Sequence, residues 1–104
     1  MLLNATLLRV DPSEAGPAGP AISFRCALTR PTLRQARWLR SMRLQATAAI
    51  YLPVQSPAPP TLGVGMRLRV QVDEDAAGLW KVLNVQVTAT GVLPFRLAYL
   101  KVSI

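Results

Sequence analysis

Proline divides this chain before any other signal does. Three of its nine prolines fall in residues 11–20, Asp-Pro-Ser-Glu-Ala-Gly-Pro-Ala-Gly-Pro, beside two glycines. Four more, Pro53, Pro57, Pro59 and Pro60, crowd residues 53–60. Proline fixes φ and has no N–H to donate, so neither stretch can hold regular structure. Both are expected to be long loops or extended arms. The ordered elements must be built from the short segments that remain.

Most of those segments alternate. In residues 21–29, Ile22, Phe24, Cys26 and Leu28 share one side, with Ser23, Arg25 and Ala27 on the other. In residues 66–73, Met66, Leu68, Val70 and Val72 alternate with Arg67, Arg69, Gln71 and Asp73. Period two is the mark of a strand with one buried and one wet face. Residues 44–54 read the same way, with Leu44, Ala46, Ala48, Ile50 and Leu52 facing inward. Residues 1–10, 79–90 and 95–104 complete the strands, the second of these rich in Val and Thr. Acidic residues 73–75 followed by Gly78, and residues 91–94, mark turns. Residues 31–42 differ: good helix formers follow Pro31, which suits a first helical turn, so a short helix is expected there.

A chain of 104 residues forms one domain. About six strands, one short helix and long Pro-rich loops predict an all-β fold, a small β-barrel or sandwich over residues 1–104.

Composition narrows the function. There is no His, so the commonest general base and metal ligand are missing, and with them every Ser-His or Cys-His pair. The five carboxylates are Asp11 and Glu14 in one loop and Asp73, Glu74 and Asp75 in one turn. Neither group is a pair spanning a cleft, and the turn lacks the spaced oxygens of a calcium loop. Gly63-Val64-Gly65 leads into a strand and has no following Lys, unlike a phosphate-cradling loop. The expectation is a non-enzyme with no catalytic residue, metal, cofactor or small-molecule substrate. Cys26 is the only cysteine, so no intrachain disulfide forms; it reads as a small buried hydrophobe. No apolar run is long enough to span a membrane, and residues 1–10 lack the basic start of a signal peptide.

Charge supplies the positive evidence. Twelve basic residues face five acids, a net charge of +7, and ten of the twelve are Arg. A surface this basic should meet something acidic. Charged residues are only 16% of the chain, against roughly 25% in ordinary soluble domains. That favours an oligomer or part of a larger assembly.

Arg34, Arg37, Arg40 and Arg43 recur every third residue, with Trp38 inside the series. On a helix such steps advance about 300° each, spreading the four over about half the circumference. Leu33, Ala36, Leu39 and Met42 follow one step behind as an apolar flank. Three uses fit: contact with DNA phosphates, docking to an acidic protein with Trp38 as anchor, or a solvated face whose stems cover the core. Trp80, Tyr99, Phe24, Phe95 and Tyr51 lie on strands and suit sheet packing. The rival is a stacking platform on a single-stranded nucleic-acid-binding barrel of the oligonucleotide-binding type, which wants basic residues interleaved with the aromatics.

The order of motifs in residues 46–104 adds a resemblance. It runs Ala46-Thr47-Ala48-Ala49-Ile50-Tyr51-Leu52-Pro53, a Pro-rich loop, then Leu62-Gly63-Val64-Gly65-Met66-Arg67-Leu68-Arg69-Val70. After an acidic turn come Gly78-Leu79-Trp80-Lys81-Val82-Leu83-Asn84-Val85 and finally Leu93-Pro94-Phe95-Arg96-Leu97-Ala98-Tyr99-Leu100. This resembles the small head-to-tail connector proteins of tailed bacteriophages, the stopper or head-completion type, over a little more than half the chain. The resemblance implies a small β-barrel acting as a structural virion protein, assembled in the host cytoplasm. Copies would form a homo-oligomeric ring in the neck between portal or adaptor and tail, helping to retain DNA and dock the tail. Residues 11–20, with Gly16 and Pro17, or residues 54–62, with Pro57 and Pro59, would be the projecting loops. Arg34, Arg37, Trp38, Arg40 and Arg43 would face a neighbour or the packaged DNA.

Overall fold

The computed structural model describes residues 2–12, 16–55, 57–86 and 94–103. The elements are β1 (Ala5–Asp11), β2 (Ala21–Thr29), α1 (Leu33–Ser41), β3 (Ala48–Pro53), β4 (Arg67–Val72), β5 (Gly78–Val85) and β6 (Phe95–Val102). The six strands close into a barrel in the order β1-β2-β3-β6-β5-β4, and every neighbouring pair is antiparallel. Of the two architectures the sequence allowed, the chain adopts the barrel, which leaves no unpaired sheet edge.

The inward faces are those the alternation marks. Leu7, Cys26, Ile50, Leu52, Leu68, Val70, Val82 and Leu100 are all but inaccessible to solvent, and Phe24 and Leu28 join them. Trp80 and Met66 pack against this cluster from its margin.

Burial pushes the Cys26 thiol up from 9.0 to about 11, partly offset by neighbouring Arg25. At mildly alkaline pH the folded protein should therefore react with a disulfide reagent about a hundredfold more slowly than the denatured chain. Equal rates in stopped-flow labelling would mean an open barrel.

Several boundaries differ from expectation; β5, for one, takes in Gly78, read as part of a turn, and ends at Val85. The first strand begins at Ala5 and not Met1, which lies outside the described residues. Asn4 replaces a strand pair with its side chain: Nδ2 donates to the Leu28 carbonyl at 3.0 Å, and the Leu28 N–H donates to Oδ1 at 2.8 Å. Asp11 closes β1 where a loop was expected. The third strand starts at Ala48 and not Leu44, and Leu44 and Ala46 pack against the outer cluster of Leu39, Ala49 and Tyr99. Of the expected strand 79–90 and turn 91–94, residues 87–93 lie outside the described set, as does Ile104 of the last strand.

The shift at residue 44 follows from how α1 ends. Thr32 caps its N-terminus in a capping box with Gln35, and Pro31 precedes the cap instead of entering the first turn. At the other end Arg43 N–H donates to the Arg40 carbonyl and Leu44 N–H to the Leu39 carbonyl, at 3.1 and 2.9 Å. This is the Schellman arrangement, and it needs a left-handed residue after the cap. That residue is Arg43, at φ 57°. The reversal lays Leu44 against Leu39 on the outside of the barrel. Glycine suits this position better than any side chain, so Arg43→Gly should raise stability by about 0.5–1 kcal/mol in urea unfolding. A loss would show that the arginine stem packs.

Antiparallel pairing sends the β1–β2, β3–β4 and β5–β6 connections to one end of the barrel. Both Pro-rich loops therefore emerge together. The β4–β5 turn and the segment carrying α1 leave from the opposite end.

Candidate docking face

α1 lies on the outer side of β3 and β6. The alternation of the last strand shows why: Ala98 and Leu100 point inward, while Leu97 and Tyr99 are also apolar but point outward. A strand apolar on both faces needs a second cover. Leu39, at 3% exposure, supplies it by packing on Ala49 and Tyr99. Gln35 Nε2 adds a 2.7 Å hydrogen bond to the Tyr51 hydroxyl. Burial, and then proximity to Tyr51, push the Tyr99 hydroxyl's pKa up.

Leu39 is the only buried residue of the helix. Arg34, Arg37, Arg40 and Arg43 are all exposed, and among the described residues none makes an ion pair. The sequence reading set an apolar flank beside them; the structure corrects this for two of its four members. Leu33 and Met42 are 70% and 55% exposed. Leu33 is the first helical residue and Met42 the C-cap, so both hang off the ends of the packed turn.

Trp38 lies at the border, with its ring centroid 5.7 Å from that of Tyr99 at a tilt of 36°. Arg34, Gln35, Trp38, Gln86, Leu97 and Tyr99 line an open cleft of about 300 Å³ beside it. The outward face therefore mixes four guanidinium groups with Leu33, Trp38 and Met42. Leu97 and Gln86 were not picked out from the sequence as part of this face. The two-sided apolar pattern of the last strand was the available signal for Leu97.

Two of the arginines stand where local physics disfavours them. Arg34 occupies the first turn of α1, which has no acid, against the positive end of the helix dipole. Arg43 holds the left-handed position already described. Of the basic residues elsewhere, Arg25 is bound by Asp73 at 2.7 Å, which raises the guanidinium's pKa and lowers that of the carboxyl. Arg9 is paired with Asp11.

The candidate loop tips behave differently from one another. Pro17 and Pro57 are exposed, whereas Gly16 is half-buried. Pro59 is buried and accepts a long 3.4 Å hydrogen bond from Arg96, so it does not project: the loop folds back across the barrel end there. The aromatics of the strands do not make one stacking face. Phe24 and Trp80 pack on the inner cluster, and Phe95 meets Tyr51 edge-on outside it. Among the described residues no cluster of His, Cys, Asp and Glu could hold a metal ion, and no helix is long and apolar enough to cross a membrane. The chain matches no protein-family model, no curated protein and no solved structure.

Proposed function

We propose that this protein is a non-catalytic assembly subunit whose barrel presents α1 as a docking face for an acidic protein surface. The setting is the one the sequence resemblance implies: a ring in the neck of a tailed bacteriophage, between portal or adaptor and tail. One observation carries the docking reading. Arg34, Arg37 and Arg40 on the helix and Arg43 just after it face solvent and make no ion pair among the described residues, beside exposed Leu33, Trp38 and Met42, while Leu39 is the one buried residue of the helix. A face that served the fold alone would bury more of its apolar residues. A basic surface bordered by a partly exposed aromatic is the kind of patch protein interfaces use as an anchor. The common end of the two Pro-rich loops fits a subunit that also reaches along an axis, toward a channel or a neighbouring ring.

The test is a charge swap on the helix. Arg37→Glu with Arg40→Glu should melt within about 2 °C of the wild type, since exposed charges contribute little to stability. Introduced into the genome that produces the particle, the same pair should leave heads without tails or heads that lose DNA. Normal yields of infectious particles overturn the reading.

A further inference from the structure

We infer that the occupant of the α1 face is a second copy of this chain, which presents its acidic β4–β5 turn, residues 73–75, to the helix arginines. The inference rests on the docking role proposed for α1 and names its partner. Both patches leave the barrel at the same end, α1 on the outer side of β3 and β6 and the turn between β4 and β5. They stand apart around the barrel wall, and among the described residues no ion pair joins them within one molecule. A contact between two unlike patches is head-to-tail, and successive copies close into a ring when the rotation fits.

The charges match. Asp11 is buried against Arg9, and Asp73 holds Arg25 at 2.7 Å. Glu14 lies outside the described residues. Glu74 and Asp75 are exposed and make no ion pair among the described residues, as is true of Arg34, Arg37, Arg40 and Arg43. Backbone strain marks the same two patches. Among the described residues, the non-glycine residues with positive φ are Arg43, at 57°, and Glu74, at 66°. Neither turn needs a charged side chain there, and glycine would sit more easily. One charge of each sign is thus kept at an exposed, disfavoured position, one in each patch.

Apolar surface accompanies both. The helix end exposes Leu33 and Met42, and near the turn Leu2 is 85% exposed. Leu2 adjoins Leu3, whose carbonyl shares the Arg25 guanidinium with Asp73. Two copies of net charge +7 repel at a distance, so the contact depends on its local pairs. Salt near physiological strength screens that repulsion beyond about 8 Å and leaves charges in contact attracted.

Sedimentation velocity of the full chain near physiological salt, over a range of protein concentrations, tests it. The wild type should self-associate. Arg37→Glu with Arg40→Glu, and separately Glu74→Lys with Asp75→Lys, should each weaken association about tenfold or more, because like charges then face one another. The helix reversal also lowers the net charge, which by itself favours association, so a loss there is local. The chain carrying all four changes should regain the wild-type affinity within about threefold, since the pairs return with their signs exchanged. All four positions are exposed, so each variant should melt within a few degrees of the wild type. Glu74→Gly should melt higher yet associate less tightly. A wild type that stays monomeric overturns the inference. So do turn variants that associate like the wild type, or a fourfold variant no better than the two pairs it combines. If the turn variants also give normal particles while the helix reversal does not, α1 docks on a different acidic protein, and the proposed function stands without this contact.

Discussion

Leu100→Ala is expected to cost the barrel about 3–4 kcal/mol and to lower Tm by about 15–25 °C, measured by calorimetry or by urea unfolding. Leu100 is fully buried on β6. It lies between Ala48 of β3 and Val82 of β5, both in the same inner cluster. A barrel of six strands has an interior just filled by its own side chains, so removing three carbons leaves a void that closed walls cannot collapse into. Ala48 and Ala98 are already small and have no atoms with which to fill it. Leu33→Ala is the matched control. Leu33 is 70% exposed, and its truncation should change stability by less than about 0.5 kcal/mol. Similar losses at both positions would mean that the inner cluster does not hold the fold.

Asp11→Ala should cost about 2–3 kcal/mol, more than its place beside a Pro-rich loop suggests. Its side chain is 3% exposed and faces Arg9 Nε at 3.1 Å, an ion pair without hydrogen-bond alignment. Oδ1 also accepts the Gly19 N–H at 2.7 Å, tying the far end of the β1–β2 loop to the end of β1. Removing the carboxylate leaves a partly buried guanidinium and a backbone donor without their partner. Asp11→Asn keeps an acceptor for Gly19 while losing the charge, and should recover about half of the loss. Gly19→Ala attacks the same tie from the other side. A Cβ at Gly19 would lie 2.0 Å from the Val10 carbonyl oxygen, so the loop would have to move and the Asp11 bond would break. If Asp11→Ala melts like the wild type, the loop is not pinned at all.

The barrel was legible because closed antiparallel sheets write period two into the chain. Residues 66–73 and 21–29 show it without ambiguity, and their inward sets are the observed ones. The pattern misled at residues 44 and 46, whose apolar side chains continue the parity of Ile50 and Leu52. They belong to the outer cluster, because the left-handed Arg43 turns the chain before the strand begins. Parity carries no mark of which face a residue covers when both faces are covered. Asn4 shows a different limit: a side chain acting as ladder backbone looks, in sequence, like an interruption.

The arginine series singled out α1, but its spacing alone left three uses open. In the structure Leu39 is the one buried residue of the helix, with Trp38 beside Tyr99 and Gln35 bonded to Tyr51. That the acidic turn leaves the barrel at the same end as α1 is set by the antiparallel closure of the sheet, which no single segment of the sequence records.

Oxidative footprinting of Trp38 and Met42, in the isolated chain and in purified particles, tests the docking claim most directly. In the free protein Met42 is 55% exposed and Trp38 stands at the edge of the helix, so both should oxidise readily. A docked α1 predicts strong protection of both in the particle, while exposed Val64, away from the helix, keeps its free-chain rate. Particles that lack the protein, or in which Trp38 and Met42 oxidise as fast as in the free chain, contradict it.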